Sequence, residues 1–363
     1  SRGIVVESHN GSLLWEPWDI TKADGTPYRV FTPYFRRGCL GAPPPRLPLP
    51  VPTHLEFVTV GYEQDGIDGL HLRPDDGWGT KLEPHWQIGE VGAKQRLATF
   101  IDQELSGYKN GRNFPASPHV SRLSPHLHWG EVSPHNVWYA TRHRIEAGAV
   151  SHDDGEHFLS ELGWREFSYS LIYYFPDLPR QNLQRRFDHF PWKHNEAALK
   201  CWQSGQTGYP IVDAAMRQLW QTGYMHNRLR MIAGSFLVKN LRLHWHHGEA
   251  WFWDCLVDAD LANNSAGWQW IAGSGADAAP YFRIFNPITQ ASKFDPGGAF
   301  IRHYVPEIAK LPDTYLSSPW EAPAETLSAA GVNLNENYPR PIVDVKTSRL
   351  DALAAFATLK ELT

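Results

Sequence analysis

Asp258-Ala-Asp-Leu-Ala-Asn-Asn-Ser-Ala-Gly-Trp-Gln-Trp270 gathers four acid and amide side chains into seven residues and follows them with two tryptophans. This is no simple core segment, because buried polar groups need hydrogen-bond partners. A heteroaromatic ligand would supply them; an Asx-rich surface turn would leave them in water. Working outward, both flanks read as helix. Residues 91–105 have helical apolar spacing. Ser133 and Pro134 open a helix through 144, one as cap and the other in the first turn. Further helices are expected over 157–174, 209–221, 227–241, 248–257 and 345–362, the first stopped before Pro176. Strand-like alternation is absent beyond about residue 85. The fold class is mostly α, with one all-helical domain over 86–363.

The N-terminal part reads differently. Gly3-Ile-Val-Val-Glu7 suggests a short strand and 32–39 the start of a helix. That is too little to close a sheet, so 1–40 reads as a remnant of an α/β domain. Six prolines within 43–52 predict an extended, semi-rigid segment. Gly- and Asp-rich sequence follows, making 41–85 a long linker. The length of 363 residues suits two or three units.

Composition narrows the classes. Hydrophobic residues make up 42% and charged residues 20%, which excludes a disordered, collagenous or coiled-coil chain. No apolar run reaches the roughly 18 residues of a membrane span, and the N-terminus lacks a signal core. Cys39, Cys201 and Cys255 are too few and scattered for a disulfide framework or zinc knuckle. The expectation is a soluble protein of a reducing compartment. The net charge is −5, yet residues 178–248 hold ten Lys/Arg against three acids. Such a block is either a footprint for a polyanion or a set of solvated helix faces.

Two more stretches carry chemistry. On a helix, positions 158, 161, 164, 165 and 168 share a face. That face mixes Phe158, Trp164, Glu161 and Arg165. It is either a ligand surface or the seat of a Glu161–Arg165 ion pair at i,i+4. Asn227, Arg230, Met231 and Gly234 likewise share a face. The gap at Gly234 admits either a flat ligand or a packed helix. The run His244-Trp-His-His247 comes with no Asp, Glu or Cys at ligand spacing, so no metal site is expected.

Taken together, Ser121-Arg-Leu-Ser124, Glu161-x-x-Trp164-Arg165, Thr207-Gly-Tyr-Pro-Ile-Val-Asp213, Met225-His-Asn-Arg-Leu-Arg-Met231, Asp258-Ala-Asp260 and Asn263-Asn264…Gly267-Trp-Gln-Trp270 resemble the photolyase/cryptochrome family. Phe282-Arg-Ile-Phe-Asn-Pro287 and Lys293-Phe-Asp295 add to the likeness. It is dense over 85–345 and looser over 1–40. The resemblance implies an α/β antenna domain, here partial, then a linker and a helical FAD-binding domain. It implies a flavin site made by Tyr108, Ser121, Leu123, Ser124, Phe158, Arg165, Asn227, Arg230, Asp258, Asp260 and Asn264. Asn264 matches the residue opposite flavin N5, and Arg230–Asp258 the salt bridge beside the ring. Val120 stands where the family usually has Thr. Trp268, Trp245 and Trp192 match an electron-transfer chain running outward from the flavin to the surface. Glu161, Trp164, Met231 and Trp270 match the lesion pocket, with Arg112 and Arg228 on its rim. Glu7 stands where folate-binding members carry a pocket glutamate, which leaves room for an antenna methenyltetrahydrofolate.

The branches of the family differ at a few of these positions. Plant-type cryptochromes commonly carry Asp opposite N5 and in place of Asn227; here both are Asn, which cannot supply a proton as a carboxylic acid can. The (6-4) branch has His at the positions of Asn227 and Met231. The iron–sulfur branch needs four Cys ligands, and this chain has three. The resemblance therefore implies a cyclobutane pyrimidine dimer photolyase of class I or the plant-like bacterial class III. A cryptochrome-type photoreceptor without repair is the alternative. In the implied reaction, light-excited FADH⁻ donates an electron to the dimer, the ring splits and the electron returns. The implied partner is UV-damaged DNA, single- or double-stranded, with its dimer flipped out. The protein would act as a cytoplasmic, nucleoid-associated monomer.

Overall fold

The computed structural model describes residues 3, 5–7, 9–56, 68–72, 77–278 and 282–359. Ile4 of the expected strand, linker residues 57–67 and 73–76, and positions 360–362 of the last helix lie outside the described residues. Helices of eight or more residues are α1 (Glu90–Thr99), α2 (Pro134–Glu146), α3 (His152–Tyr174), α4 (Glu196–Gln203), α5 (Pro210–Thr222), α6 (Asn227–Ser235), α7 (Trp245–Cys255), α8 (Leu261–Ala272), α9 (Pro287–Phe294) and α10 (Val345–Thr358).

Local chemistry sets the helix ends. Ser133 accepts from Asn136 N and caps α2. Helix α3 begins five residues before the expected start, because Ser151 caps it and Asp153 and Asp154 favour its positive N-terminal end. Asp260 caps α8 and Gly223 closes α5 in the left-handed region at φ +66°. The expected single helix over 227–241 is α6 followed by a π turn at Phe236–Asn240. Similarly, α1 runs into a π turn at Phe100–Glu104. Of the Asp258–Trp270 stretch, Leu261 onward is helix, with Asp258 in a turn and Asp260 as the extended cap.

The expected strand at 3–7 is a correction: Val5, Val6 and Glu7 have no regular structure, and no strand exists among the described residues. A lone extended segment has no neighbour to bond with.

Two large apolar clusters organise the molecule, and a third, smaller one joins Phe187 and Phe190 to Ala355 and Leu359 at the end of α10. Of the large pair, one joins α4 to α8 and buries Trp202, Trp245 and Trp268. The other joins Leu14, Trp15, Phe31, Tyr34 and Phe35 to α1, α2 and α3. The N-terminal segment is thus part of a core with the helices. Phe35 lies against Gly163 of α3, where an added Cβ would come within 2.4 Å of its ring. The proline segment is anchored too: Trp15 Nε1 donates to Pro43 O at 3.1 Å, and the Tyr139 hydroxyl donates to Pro45 O.

Candidate functional site

The first turn of α3 seats a facing loop. Asp154 accepts from Gly107 N at 3.0 Å and Lys109 N at 2.9 Å, and Lys109 Nζ meets Asp153 at 2.8 Å. That clamp places Tyr108 and Arg112 over the helix. Tyr108 is buried edge-on against Phe158, 5.3 Å between centroids. Burial raises its hydroxyl pKa well above the ordinary value. Arg112 lies 5.4 Å from the Tyr108 ring and pairs with Glu161. The i,i+4 pair of Glu161 with Arg165 therefore does not form. Arg165 Nη1 donates instead to Ser12 O at 2.6 Å and to Glu166 Oε1 at 3.1 Å.

The 120–124 loop is pinned from behind. Arg96 donates to Ser121 O at 2.7 Å and pairs with Glu104. Arg122 adopts φ +52°, a strained conformation for a side-chain-bearing residue. Its guanidinium stacks on Trp86 and Tyr224 at 4.6 and 5.1 Å. Leu123 is buried. Ser124 Oγ donates to Asp258 Oδ2 at 2.6 Å. Arg230 Nη2 reaches both Asp258 oxygens, at 3.0 and 2.8 Å. The structure thus brings Ser124, Arg230 and Asp258 together at one carboxylate.

At the start of α6, His226 Nδ1 accepts from Arg228 N at 3.1 Å. Burial, reinforced by Arg112, Arg228 and Arg230, pushes its pKa down to about 3. A neutral imidazole therefore stands among three arginines. Asn227 is exposed. Arg228 bonds Asn113, lies 4.4 Å over Phe294, and its Nη1 is 3.9 Å from Met231 Sδ. Ile271 and Trp268 fill the gap at Gly234, so that gap is helix packing.

Asp260 is the cap of helix α8. Its Oδ1 accepts from Asn263 N at 2.8 Å, and its Oδ2 accepts from the Tyr169 hydroxyl at 2.5 Å. Asn264 Nδ2 donates to Glu249 O at 2.9 Å. Trp268 is buried edge-on against Phe252 at 4.9 Å and Trp202 at 6.2 Å. Gly248 lets α7 approach: a Cβ there would come within 2.1 Å of the Trp268 ring. Trp245 is fully buried and donates to Asn182 Oδ1 at 2.9 Å. His244 lies between Trp245 (5.6 Å) and the half-buried Trp192 (5.0 Å). Burial, with His246 adding to it, pushes the His244 pKa down to about 4, so this bridge is uncharged at neutral pH.

Not every expected neighbour meets. Trp164 stacks on Phe31 at 3.8 Å in the N-terminal cluster, whereas Trp270 packs on the other cluster. Glu7 is exposed and pairs with His9 at 3.6 Å. Among the described residues, no three His, Cys, Asp or Glu gather as a metal site, and no helix is long and apolar enough to cross a membrane. Sequence reading missed Tyr169, His226, Asn182 and Glu249. Only Tyr169 carried a signal, its i+4 spacing from Arg165.

Comparison with known proteins gives this arrangement a setting. A family model described as the FAD binding domain of DNA photolyase matches residues 158–358, and one described as DNA photolyase matches 1–53. The deoxyribodipyrimidine photo-lyase of Agrobacterium fabrum is 48% identical over 99% of this chain and 75% of its own length. That of Escherichia coli is 39% identical over 99% and 74%. Cryptochrome-2 of Arabidopsis thaliana is 38% identical over 96% of this chain and 58% of its own. The crystal structure of a bacterial class III photolyase from Agrobacterium tumefaciens superposes with a TM-score of 0.92 at 48% identity, covering 97% of this chain and 72% of that one. The chain belongs to the DNA photolyase and cryptochrome family.

Proposed function

We propose that the chain repairs cyclobutane pyrimidine dimers in DNA, as a light-driven carbon–carbon lyase with FAD as cofactor. The photo-lyase relatives at 48% and 39% identity over nearly the whole chain support this reading. The observation that carries it is the polar cluster of Ser124, Arg230 and Asp258, in a helical body that also buries the aromatics Tyr108, Phe158 and Trp268. Flavin and adenine rings need apolar faces, and a pyrophosphate needs donors. This donor set fits both, and three buried nitrogens nearby, Arg122 Nε, Arg228 Nε and His226 Nε2, lack a protein partner.

Bound FAD would supply the light-excited electron; the chain's own groups do the rest. Ser121, Ser124 and Arg230 would hold the cofactor. Tyr108, Phe158 and Leu123 would exclude water around it. Glu161, released from Arg112, would in its carboxylic-acid form donate to a dimer carbonyl and steady the charge that develops there. Arg112, Arg228 and the solvent-reaching members of the basic block at 178–248 would take the DNA phosphates. Trp164, Met231 and Trp270 would line the lesion pocket. Trp268, Trp245 and Trp192 would carry electrons inward from the surface. The polypeptide would act as a monomer on DNA in the cytoplasm.

The test is to load the protein with FAD, reduce it chemically, and illuminate a thymine-dimer oligonucleotide. Light-dependent loss of dimers is expected. A fully loaded, reduced protein that leaves every dimer intact would move the chain to the cryptochrome-type photoreceptor reading.

A further inference from the structure

Helix α3 carries a residue that none of the motifs singles out. Tyr169 stands one turn beyond Arg165, half-buried, and its hydroxyl is aimed at α8. It donates to Asp260 Oδ2 at 2.5 Å, a short bond to a charged acceptor. The other oxygen of Asp260 accepts from Asn263 N at 2.8 Å and Asn263 Nδ2 at 2.6 Å. One oxygen therefore caps α8 while its partner is held from α3. His128 Nδ1 is 3.5 Å from Oδ2, too far for a strong bond. A carboxylate turns about its last torsion over a broad, two-fold profile. The two Asn263 donors hold one oxygen from within α8, and the Tyr169 hydroxyl is the short contact from outside the helix that completes the fixing of this turn, and with it the entry of α8.

The other side of Tyr169 is held as firmly. The Arg165 guanidinium lies 5.0 Å over its ring. Arg165 donates to Ser12 O at 2.6 Å and to Glu166 Oε1 at 3.1 Å. Glu166 Oε2 accepts from Leu14 N at 2.8 Å and Trp15 N at 3.3 Å. A continuous polar path thus runs from the backbone of 12–15 through Glu166, Arg165, Tyr169 and Asp260 into the first turn of the helix bearing Asn264 and Trp268.

We propose that Tyr169 is a positioning residue of the flavin site: through Asp260 it sets the first turn of α8, and through Arg165 it makes the 12–15 segment part of that site. Tyr169 touches no reacting atom. This inference rests on the reading of α8 as the flavin-facing helix.

Tyr169→Phe removes the hydroxyl and leaves the ring beneath Arg165, so α3 keeps its packing. Two measurements on purified protein test the role. In the FAD-free protein, hydrogen exchange of the amides at 262–265 should accelerate severalfold, with those at 166–172 unchanged. The dissociation constant for FAD should rise about tenfold, the scale set by losing one buried hydrogen bond to a charged group. Asp260→Ser supplies the second arm. Serine still caps a helix but offers no second oxygen to Tyr169. In the Asp260→Ser background, Tyr169→Phe should therefore have no further effect on either measurement. Additive effects, or unchanged exchange and affinity in Tyr169→Phe, would overturn the relay while leaving the flavin site intact. A wild type that takes up no FAD would instead overturn the flavin reading, and this inference with it.

Discussion

Glu161 and Glu166 lie five residues apart on α3 and experience opposite surroundings. Glu161 is partly exposed and paired with Arg112; Glu166 is fully buried and held by two backbone N–H groups and Arg165. Glu161→Ala removes a charge-stabilising contact of a kind that contributes about 3 kcal/mol in preorganised hydrolytic sites, but here the yield is set by competition with fast back electron transfer, which mutes the effect. We expect a several-fold lower repair yield per photon in prereduced protein, with FAD content unchanged; an unchanged yield would take Glu161 out of the mechanism. Burial raises the Glu166 pKa to about 7, against attraction from Arg165 and the Trp15 and Leu14 amides. A folded-state pKa above the unfolded value means that the folded protein binds the extra proton. Stability contributed this way is complete below about pH 4.5 and falls as pH rises to about 7, by about 3 kcal/mol in total. Glu166→Gln should flatten that slope in melting temperature across this window. A slope equal to that of wild type would assign it elsewhere. Sequence spacing could name Arg165 as a partner for Glu161 because both stand on one helix face. It could not name Arg112, which arrives from another element, or the backbone of 14–15, which has no side-chain signature.

At the scale of elements, sequence legibility followed local chemistry. Caps and breakers such as Ser133, Pro134 and Pro176 located helix ends because their effect is confined to one turn. The π turns after α1 and α6 left no comparable mark. Nor did the helical state of α8, whose polar first turn reads equally well as a loop until Asp260 is seen to cap it. The α7–α8 contact is an example of packing that only coordinates reveal. Gly248 is buried on α7 with the Trp268 ring against it, and a methyl group there would sit 2.1 Å from a ring atom. Trp268 is itself buried and cannot yield cheaply. Gly248→Ala should therefore destabilise the protein by about 1–3 kcal/mol despite alanine's better helix propensity. Gly267 on α8 has no atom within 4 Å of its virtual Cβ. Gly267→Ala should stabilise the FAD-free protein by up to about 1 kcal/mol. Urea denaturation of both variants checks the pair; the same sign for both would refute the packing account.

Across the whole molecule, the basic block and the N-terminal segment are the features whose meaning changes most between sequence and structure. Charge counting located the block at 178–248 but not the burial of one of its members. Lys239 sits in the interior with its pKa pushed down to about 7 and donates to Arg283 O at 2.7 Å, so it is no phosphate contact. The N-terminal segment looked too short to close a sheet, which is so; it closes a helical core instead. Phe31 stacks between Phe35 and Trp164, and Phe35 fills the notch at Gly163. Residues 14–39 therefore have no separate interior of their own: their apolar side chains are buried against α1, α2 and α3. Such a segment has to unfold with the helices that complete it. We expect a single urea transition, coincident by tryptophan fluorescence and far-UV circular dichroism. Phe35→Ala should lower the midpoint of that one transition by an amount equivalent to about 3–5 kcal/mol. Two separated transitions, with Phe35→Ala moving only the weaker, would show the segment to be an independent unit and the shared core to contribute little to the stability of the helical body.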